Sequence, residues 1–128
     1  MRIQSPYSFA DTVDRLRTAL AARGLTVFAK IDHQANAKAV GLDMPPATVL
    51  IYGNPKAGTP LMLAAPDFAL ELPLRVLIRE TEDGATVVVF DGAAEFEGRH
   101  GLPAGMSAKL APAETVIAEA LAAQPSAD

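Results

Sequence analysis

Residues 72–90 read LPLRVLIRETEDGATVVVF and decide how the rest of the chain is interpreted. From Leu72 to Arg79, every second residue is aliphatic and the arginines fall between them, which is typical of a strand with one buried face. Glu82-Asp83-Gly84 supplies a hairpin turn. The run from Thr86 to Phe90 then pairs back as the next strand. This stretch therefore predicts a β-hairpin in an antiparallel sheet.

The sequence before the hairpin predicts a helix followed by a strand. Ser8 is expected to cap a helix that has apolar residues at helical spacing and an acidic residue in its first turn, and Gly24 ends that helix. Residues 25–31 alternate as a strand does, and Phe28 is the imperfection in the alternation. The first half of the chain therefore supplies a second structural layer for the sheet.

Helix-start signals recur along the remaining chain. Asp32 caps a short helix, residues 48–52 form an apolar strand, and Asn54 caps a helix with proline at its first position. Asp91 is expected to cap another short helix, and Pro112 begins the last one. The predicted class is α+β: a mainly antiparallel sheet with helices packed on one face.

The length and composition fit one domain. The chain has 128 residues, half of them hydrophobic and a fifth charged. We expect a single domain over residues 1–123, followed by a flexible C-terminal tail over 124–128. No cysteine is present, so disulfides and thiolate metal sites are excluded. No motif calls for a cofactor, and none is expected.

The charge excludes two classes of partner. The net charge of −4 comes from fifteen acidic and eleven basic residues, without a basic cluster. We therefore expect no nucleic-acid partner and no membrane-surface binding. The longest apolar run, residues 61–65, is too short for a transmembrane helix. The sequence predicts a cytoplasmic protein.

Short motifs follow one another in a fixed order between residues 28 and 100. They are KIDH at 30–33, MPP at 44–46, IYGNPKAGTPLM at 51–62, LPLR at 72–75 and RH at 99–100. In this order and spacing they resemble the DUF302 family, a domain of unknown function. The resemblance implies a fold like the TATA-binding-protein half-repeat, and a homodimer. It implies no reaction, because the family has no established activity.

The loop over residues 53–59 is one candidate binding site. It follows a strand and opens a helix, where free backbone N–H groups attract anions. Asn54, Lys56 and Thr59 are the candidate ligand-binding residues, with Lys56 adding positive charge. The loop lacks the spacing of a phosphate-binding Walker A motif. The alternative is an ordinary strand-to-helix turn in which Asn54 is only a cap.

Asp32, His33 and His100 are further candidates. Asp32 and His33 end a predicted strand, and His100 lies in a glycine-rich loop. They are interpreted either as polar ligand contacts, as an acid–base set, or as a helix cap and exposed histidines. A metal site would need both histidines to meet one carboxylate, and no metal is expected.

Arg75 interrupts an apolar strand and is a candidate clamp for a carboxylate or phosphate. Glu71 stands four residues earlier and could orient it, because residues four apart on a strand share a face. The alternative is an exposed strand residue or a structural ion pair.

Three hypotheses follow. The first is a cytoplasmic homodimer that binds a small anionic ligand, with pairing across a two-fold axis through a strand edge near Arg2 or through the second hairpin strand. The second is a structural or protein-interaction module without a ligand. The third is a small enzyme that uses His33 or His100 with Asp32 as acid and base. Whether the chain is an enzyme stays open from the sequence.

Overall fold

A computed structural model gives the fold and describes residues 1–122. In that range the strands are β1 (Arg2–Ser5), β2 (Thr26–Asp32), β3 (Ala47–Gly53), β4 (Leu74–Glu80) and β5 (Thr86–Phe90). The α-helices are α1 (Phe9–Ala22), α2 (His33–Ala39), α3 (Pro55–Ala64) and α4 (Ala111–Ala120). Short 3₁₀ segments lie at Pro66–Glu71, Ala93–Phe96, Arg99–Gly101 and Met106–Leu110. No helix within these residues has the length and apolar character to cross a bilayer. The tail expected over 124–128 lies outside the described residues.

The strands form one antiparallel sheet in the order β1-β5-β4-β3-β2. The predicted hairpin is confirmed, since β4 and β5 pair from Val76 opposite Phe90 to Glu80 opposite Thr86. Gly84 has a φ of +85° in the connecting turn, which glycine adopts without steric cost. Because β5 lies between β1 and β4, the second hairpin strand has no free edge, and the prediction that it could pair across a two-fold axis is wrong.

One face of the sheet is covered by helices, which confirms the predicted α+β class. Helix α1 packs on β2, β3 and β4, and α4 packs on α1. Each fully buried aliphatic side chain stabilises the fold by about 1.5–3 kcal/mol. The fully buried residues of this core include Leu16, Leu20, Leu50, Phe68, Val76, Ile78, Val88 and Ile117.

The other face of the sheet, which we call the outward face, consists of the alternate side chains of the same strands. The register and the burial pattern assign to it Arg2, Gln4, Ala29, Ile31, Ala47, Val49, Ile51, Arg75, Leu77, Arg79, Val87 and Val89. All of them except Ala47 and Val87 are at least partly exposed.

The local signals at the element ends mostly act as predicted. The side chains of Ser8 and Asp32 cap α1 and α2, each accepting a first-turn N–H, at 3.2 and 2.9 Å. Phe28, the residue that broke the alternation, lies where the register between β2 and β3 shifts. The predicted cap at Asp91 is wrong, because the 3₁₀ segment that follows β5 begins after Gly92.

Candidate functional site

Residues 53–59 join β3 to α3, with Asn54 at the cap position as predicted. The Asn54 Oδ1 accepts the N–H of Lys56 at 3.1 Å, and the Asn54 carbonyl oxygen accepts the next two N–H groups, both at 2.9 Å. Pro55 has no N–H to offer. Every amide of this first turn is therefore paired or missing, so the backbone does not provide the anion cradle that the sequence suggested.

A cleft of about 220 Å³, which we call the main cleft because two basic side chains line it, opens beside Asn54 on the helix-covered side of the sheet. Two basic side chains, Arg23 and Lys109, line it, and no acidic side chain does. Arg23 pairs with Glu119, whereas Lys109 forms no ion pair within residues 1–122. The other lining residues are Leu25, Gly53, Ala57, Gly58, Leu72, Leu74, Leu110, Pro112, Ala113 and Val116. The main cleft is thus apolar with a positive charge.

A second cleft of about 190 Å³, the side cleft, shares a wall with the main cleft. Asn54, Gly58 and Leu72 line both clefts, and Thr59 lines only the side cleft. A Cβ on Gly58 would lie 3.3 Å from Leu72 Cδ1, so glycine is what allows α3 to approach this wall closely. Lys56 is exposed and lines neither cleft.

Glu71, Arg99 and His100 form a polar cluster near the same end of the sheet. Arg99 donates from Nη1 to Glu71 Oε2 at 2.8 Å, and His100 Nε2 lies 3.3 Å from Glu71 Oε1. Partial burial by itself would raise the pKa of the Glu71 carboxyl, but the hydrogen bonds from Arg99 and His100 outweigh burial and hold that pKa below its usual range. Glu71 is therefore a carboxylate at neutral pH.

The backbone of His100 has an uncommon conformation that aims its ring at this cluster. Its φ is +55°, the only positive φ of a non-glycine residue in the described part of the chain. The ring lies edge-on to the buried Phe68, with centroids 6.4 Å apart. The cluster thus ties the Arg99–Gly101 segment to the Pro66–Glu71 segment.

The expected pairing of Glu71 with Arg75 is wrong. Glu71 ends a 3₁₀ segment, and β4 begins only at Leu74, so the four-residue spacing does not place the two side chains on one strand face. Arg75 lies on the outward face opposite Ile51, whereas the main cleft is on the helix-covered side. Arg75 is therefore not a clamp for the main cleft.

Asp32 and His33 lie at the other end of the sheet from Asn54. Asp32 pairs with Thr48 at the start of β3, whereas Asn54 follows the end of that strand. Thr48 and the end at which His100 lies are separated by about 13 Å or more along the strand. The chain therefore does not bring His100 together with Asp32, whereas Asp32 and His33 are neighbours at the end of β2. No group of three metal-ligating side chains occurs within residues 1–122 either.

Of the site residues predicted from the sequence, only Asn54 and Thr59 line the same cleft, which is the side cleft. Lys109 and Arg23, which line the main cleft, were missed as site residues. Arg23 follows the amphipathic helix α1 without a motif of its own, and Lys109 stands in the short segment 106–110, which also carries no motif. Their meeting depends on how α1 and the Met106–Leu110 segment pack, which no local pattern encodes.

The fold and this site define a small α+β domain with an open-faced antiparallel sheet and a basic, largely apolar cleft. The sequence pattern described as "Domain of unknown function DUF302" matches residues 1–123, and the chain belongs to that family. A crystal structure of an uncharacterized conserved DUF302 protein from Bacillus stearothermophilus has the same fold, with a TM-score of 0.80 at 19% identity over 94% of each chain.

Three curated relatives are fluoride-specific ion channels of Brucella. FluC 1 of Brucella suis is 36% identical over 109 residues, which cover 85% of this chain and 42% of the relative. FluC 2 of Brucella melitensis is 36% identical over 109 residues, with coverages of 85% and 40%. The chain thus spans about two fifths of the length of these relatives.

Proposed function

We propose that the chain binds a small organic anion, most simply a carboxylate, in the main cleft. The observation that carries the proposal is that Arg23 and Lys109 line a cleft whose walls are otherwise mostly apolar. Lys109 has no ion pair within residues 1–122, so it favours a ligand with a negative group. The apolar walls favour a ligand with a short hydrocarbon body. The side-chain N–H groups of Asn54 add donors on the same wall, because its oxygen alone is used in capping α3.

The names of the Brucella relatives concern an anion, fluoride. These names are consistent with a region that binds an anion in proteins that transport one, and we extend anion binding to this chain as part of the proposal. Fluoride itself fits the main cleft poorly, because it is strongly hydrated and has no hydrocarbon body to bury against the apolar walls that make up most of the cleft. We therefore expect an organic carboxylate, rather than fluoride, as the ligand.

A thermal-shift series with acetate, butyrate, benzoate, inorganic phosphate and fluoride tests this proposal. A carboxylate at 100 times its Kd stabilises the fold by about 2.7 kcal/mol, which raises Tm by several degrees. The Lys109→Gln variant should lose this shift. The matched control is Lys38→Gln, which removes an exposed lysine on α2. Equal losses in both variants, or no shift with any carboxylate, would contradict the proposal.

The homodimer and the cytoplasmic location stay proposals as well. The described strand order leaves β1 and β2 as edges. Lys30 and the irregularity at Phe28 protect β2 against pairing, so β1 is the better candidate for a two-fold contact. Sedimentation equilibrium tests the homodimer, and a monomer at all concentrations would contradict it. Cell fractionation tests the location.

A further inference from the structure

The outward face carries an apolar row where an open antiparallel sheet usually presents polar side chains. Ile31, Val49, Leu77 and Val89 lie side by side in this row, one on each of four neighbouring strands. All four remain partly exposed. A contiguous row of aliphatic side chains that stays partly in water is a surface suited to cover by another apolar group.

The charges on this face are all positive. Arg75 and Arg79 flank Leu77 along β4, and Arg2 lies opposite Val89 at the end of the apolar row. No acidic residue occupies an outward position in the strands of residues 1–122, although the whole chain has fifteen acidic residues. The face therefore favours a partner that is apolar in the middle and negatively charged at its flanks.

We propose that the outward face binds an amphipathic helix of another protein, whose apolar stripe is flanked by carboxylates. A second copy of the chain is a poorer partner. Because β4 is the central strand, a two-fold contact between two outward faces would bring Arg75 and Arg79 against the same arginines of the copy, with no strand carboxylate between them.

The dimensions of the face fit such a helix. Arg75 and Arg79 are four residues apart on β4, about 13 Å, and a helix with its side chains is about 10–12 Å wide. A helix over the apolar row would therefore have one arginine on each side. From Ile31 to Val89 the row crosses three strand spacings, about 14 Å, which corresponds to about nine residues of helix.

Two synthetic peptides of about 15 residues test the proposal. Both carry leucines at helical spacing, and one has glutamates on both flanks where the other has lysines. Fluorescence anisotropy measures affinity, and backbone amide shifts in NMR locate the contact. We expect only the glutamate peptide to bind, with shifts centred on Leu77.

Charge reversal sharpens the test. The double variant Arg75→Glu with Arg79→Glu should weaken the glutamate peptide by about tenfold, the loss of two partly exposed ion pairs, and should gain binding of the lysine peptide. Arg17→Glu with Lys38→Glu is the matched control, because it makes the same change in charge on helices α1 and α2 instead of on the strands of this face, and it should leave both affinities unchanged. If circular dichroism shows that the double variant does not fold, Arg75→Gln with Arg79→Gln replaces it. This variant should lose affinity for the glutamate peptide and should not gain binding of the lysine peptide.

Several results would overturn the proposal. Equal affinity for both peptides, equal losses in the control variant, or shifts centred on the main cleft would each do so. A dimer that the double variant dissolves in sedimentation would assign the face to a second copy. Binding to phosphatidylglycerol vesicles without peptide binding would assign it to a lipid surface.

Discussion

The two faces of the sheet carry similar aliphatic side chains on neighbouring positions of the same strands, but they differ in their cover. On β4, Ile78 faces the helices and is fully buried, whereas Leu77 faces outward and is partly exposed. The covered face also holds the main cleft with Lys109, and the outward face holds arginines between apolar neighbours. Residue type therefore does not decide burial on this sheet. The outward face has the composition of a surface that is still to be covered.

The largest expected effect separates the two faces directly. Ile78→Ala should lower the free energy of unfolding by about 3 kcal/mol, since it leaves a cavity in a closed core. Leu77→Ala should cost about 1 kcal/mol or less, because its side chain is already partly in water. Urea denaturation of both variants gives the comparison. Equal losses would mean that the outward face is already covered in the isolated chain.

The polar cluster at the edge of the covered face gives the next effect. Glu71→Gln should lower the free energy of unfolding by about 1 kcal/mol at pH 7, because it weakens charge-assisted hydrogen bonds from Arg99 and His100. The matched control is Glu119→Gln. Its pair with Arg23 has both side chains 55% exposed, against 18% for Glu71, so the expected loss is about 0.5 kcal/mol or less. Equal losses would contradict the structural role of Glu71.

The same variant has a defined pH dependence. The pKa of Glu71 is lowered in the folded chain, so its contribution to stability is complete above the ordinary carboxyl range and is lost as the pH falls through the lowered pKa. The difference in unfolding free energy between the original chain and Glu71→Gln should therefore shrink on acidification from pH 7 to about pH 3. A difference that grows in acid would contradict the lowered pKa.

The helix cap beside the main cleft gives an effect of similar size, with two separable parts. Asn54→Ala should cost about 1 kcal/mol, because α3 loses the side-chain bond to the Lys56 N–H. Asn54→Asp should keep the cap and the stability, since aspartate caps equally well. It also places a negative charge on the cleft wall, so it should abolish the thermal shift with carboxylates. A full shift in Asn54→Asp would show that the ligand does not contact this wall.

Much of the fold is predictable from the sequence because its signals are local. The alternation of apolar and polar residues identifies the hairpin, and Gly84 fits its turn. Ser8, Asp32 and Asn54 mark the starts of three helices. Even the irregularity in β2 is indicated by Phe28, an apolar residue at a position where the alternation requires a polar one. Each of these features depends on residues within a few positions of one another.

The candidate site is less predictable because its contacts are distant in sequence. Glu71 bonds Arg99 across 28 residues, and its apparent partner four residues away lies on another face. A strand pattern that starts at Leu72 suggested a shared face, but the strand starts at Leu74 and Glu71 belongs to the preceding 3₁₀ segment. Lys109 reaches the main cleft only through the packing of its segment beside α3.

The smallest expected effect tests whether the outward face is bare. Arg75→Gln should change the free energy of unfolding by no more than about 0.5 kcal/mol, because the side chain is exposed and forms no ion pair within residues 1–122. Gln keeps most of the packing of the aliphatic stem, so the charge is the main change. Urea denaturation at low and at high salt measures it. If the loss exceeds 1 kcal/mol at low salt and disappears at high salt, Arg75 has an anionic partner in the isolated chain, and the contrast between a covered and an open face no longer holds.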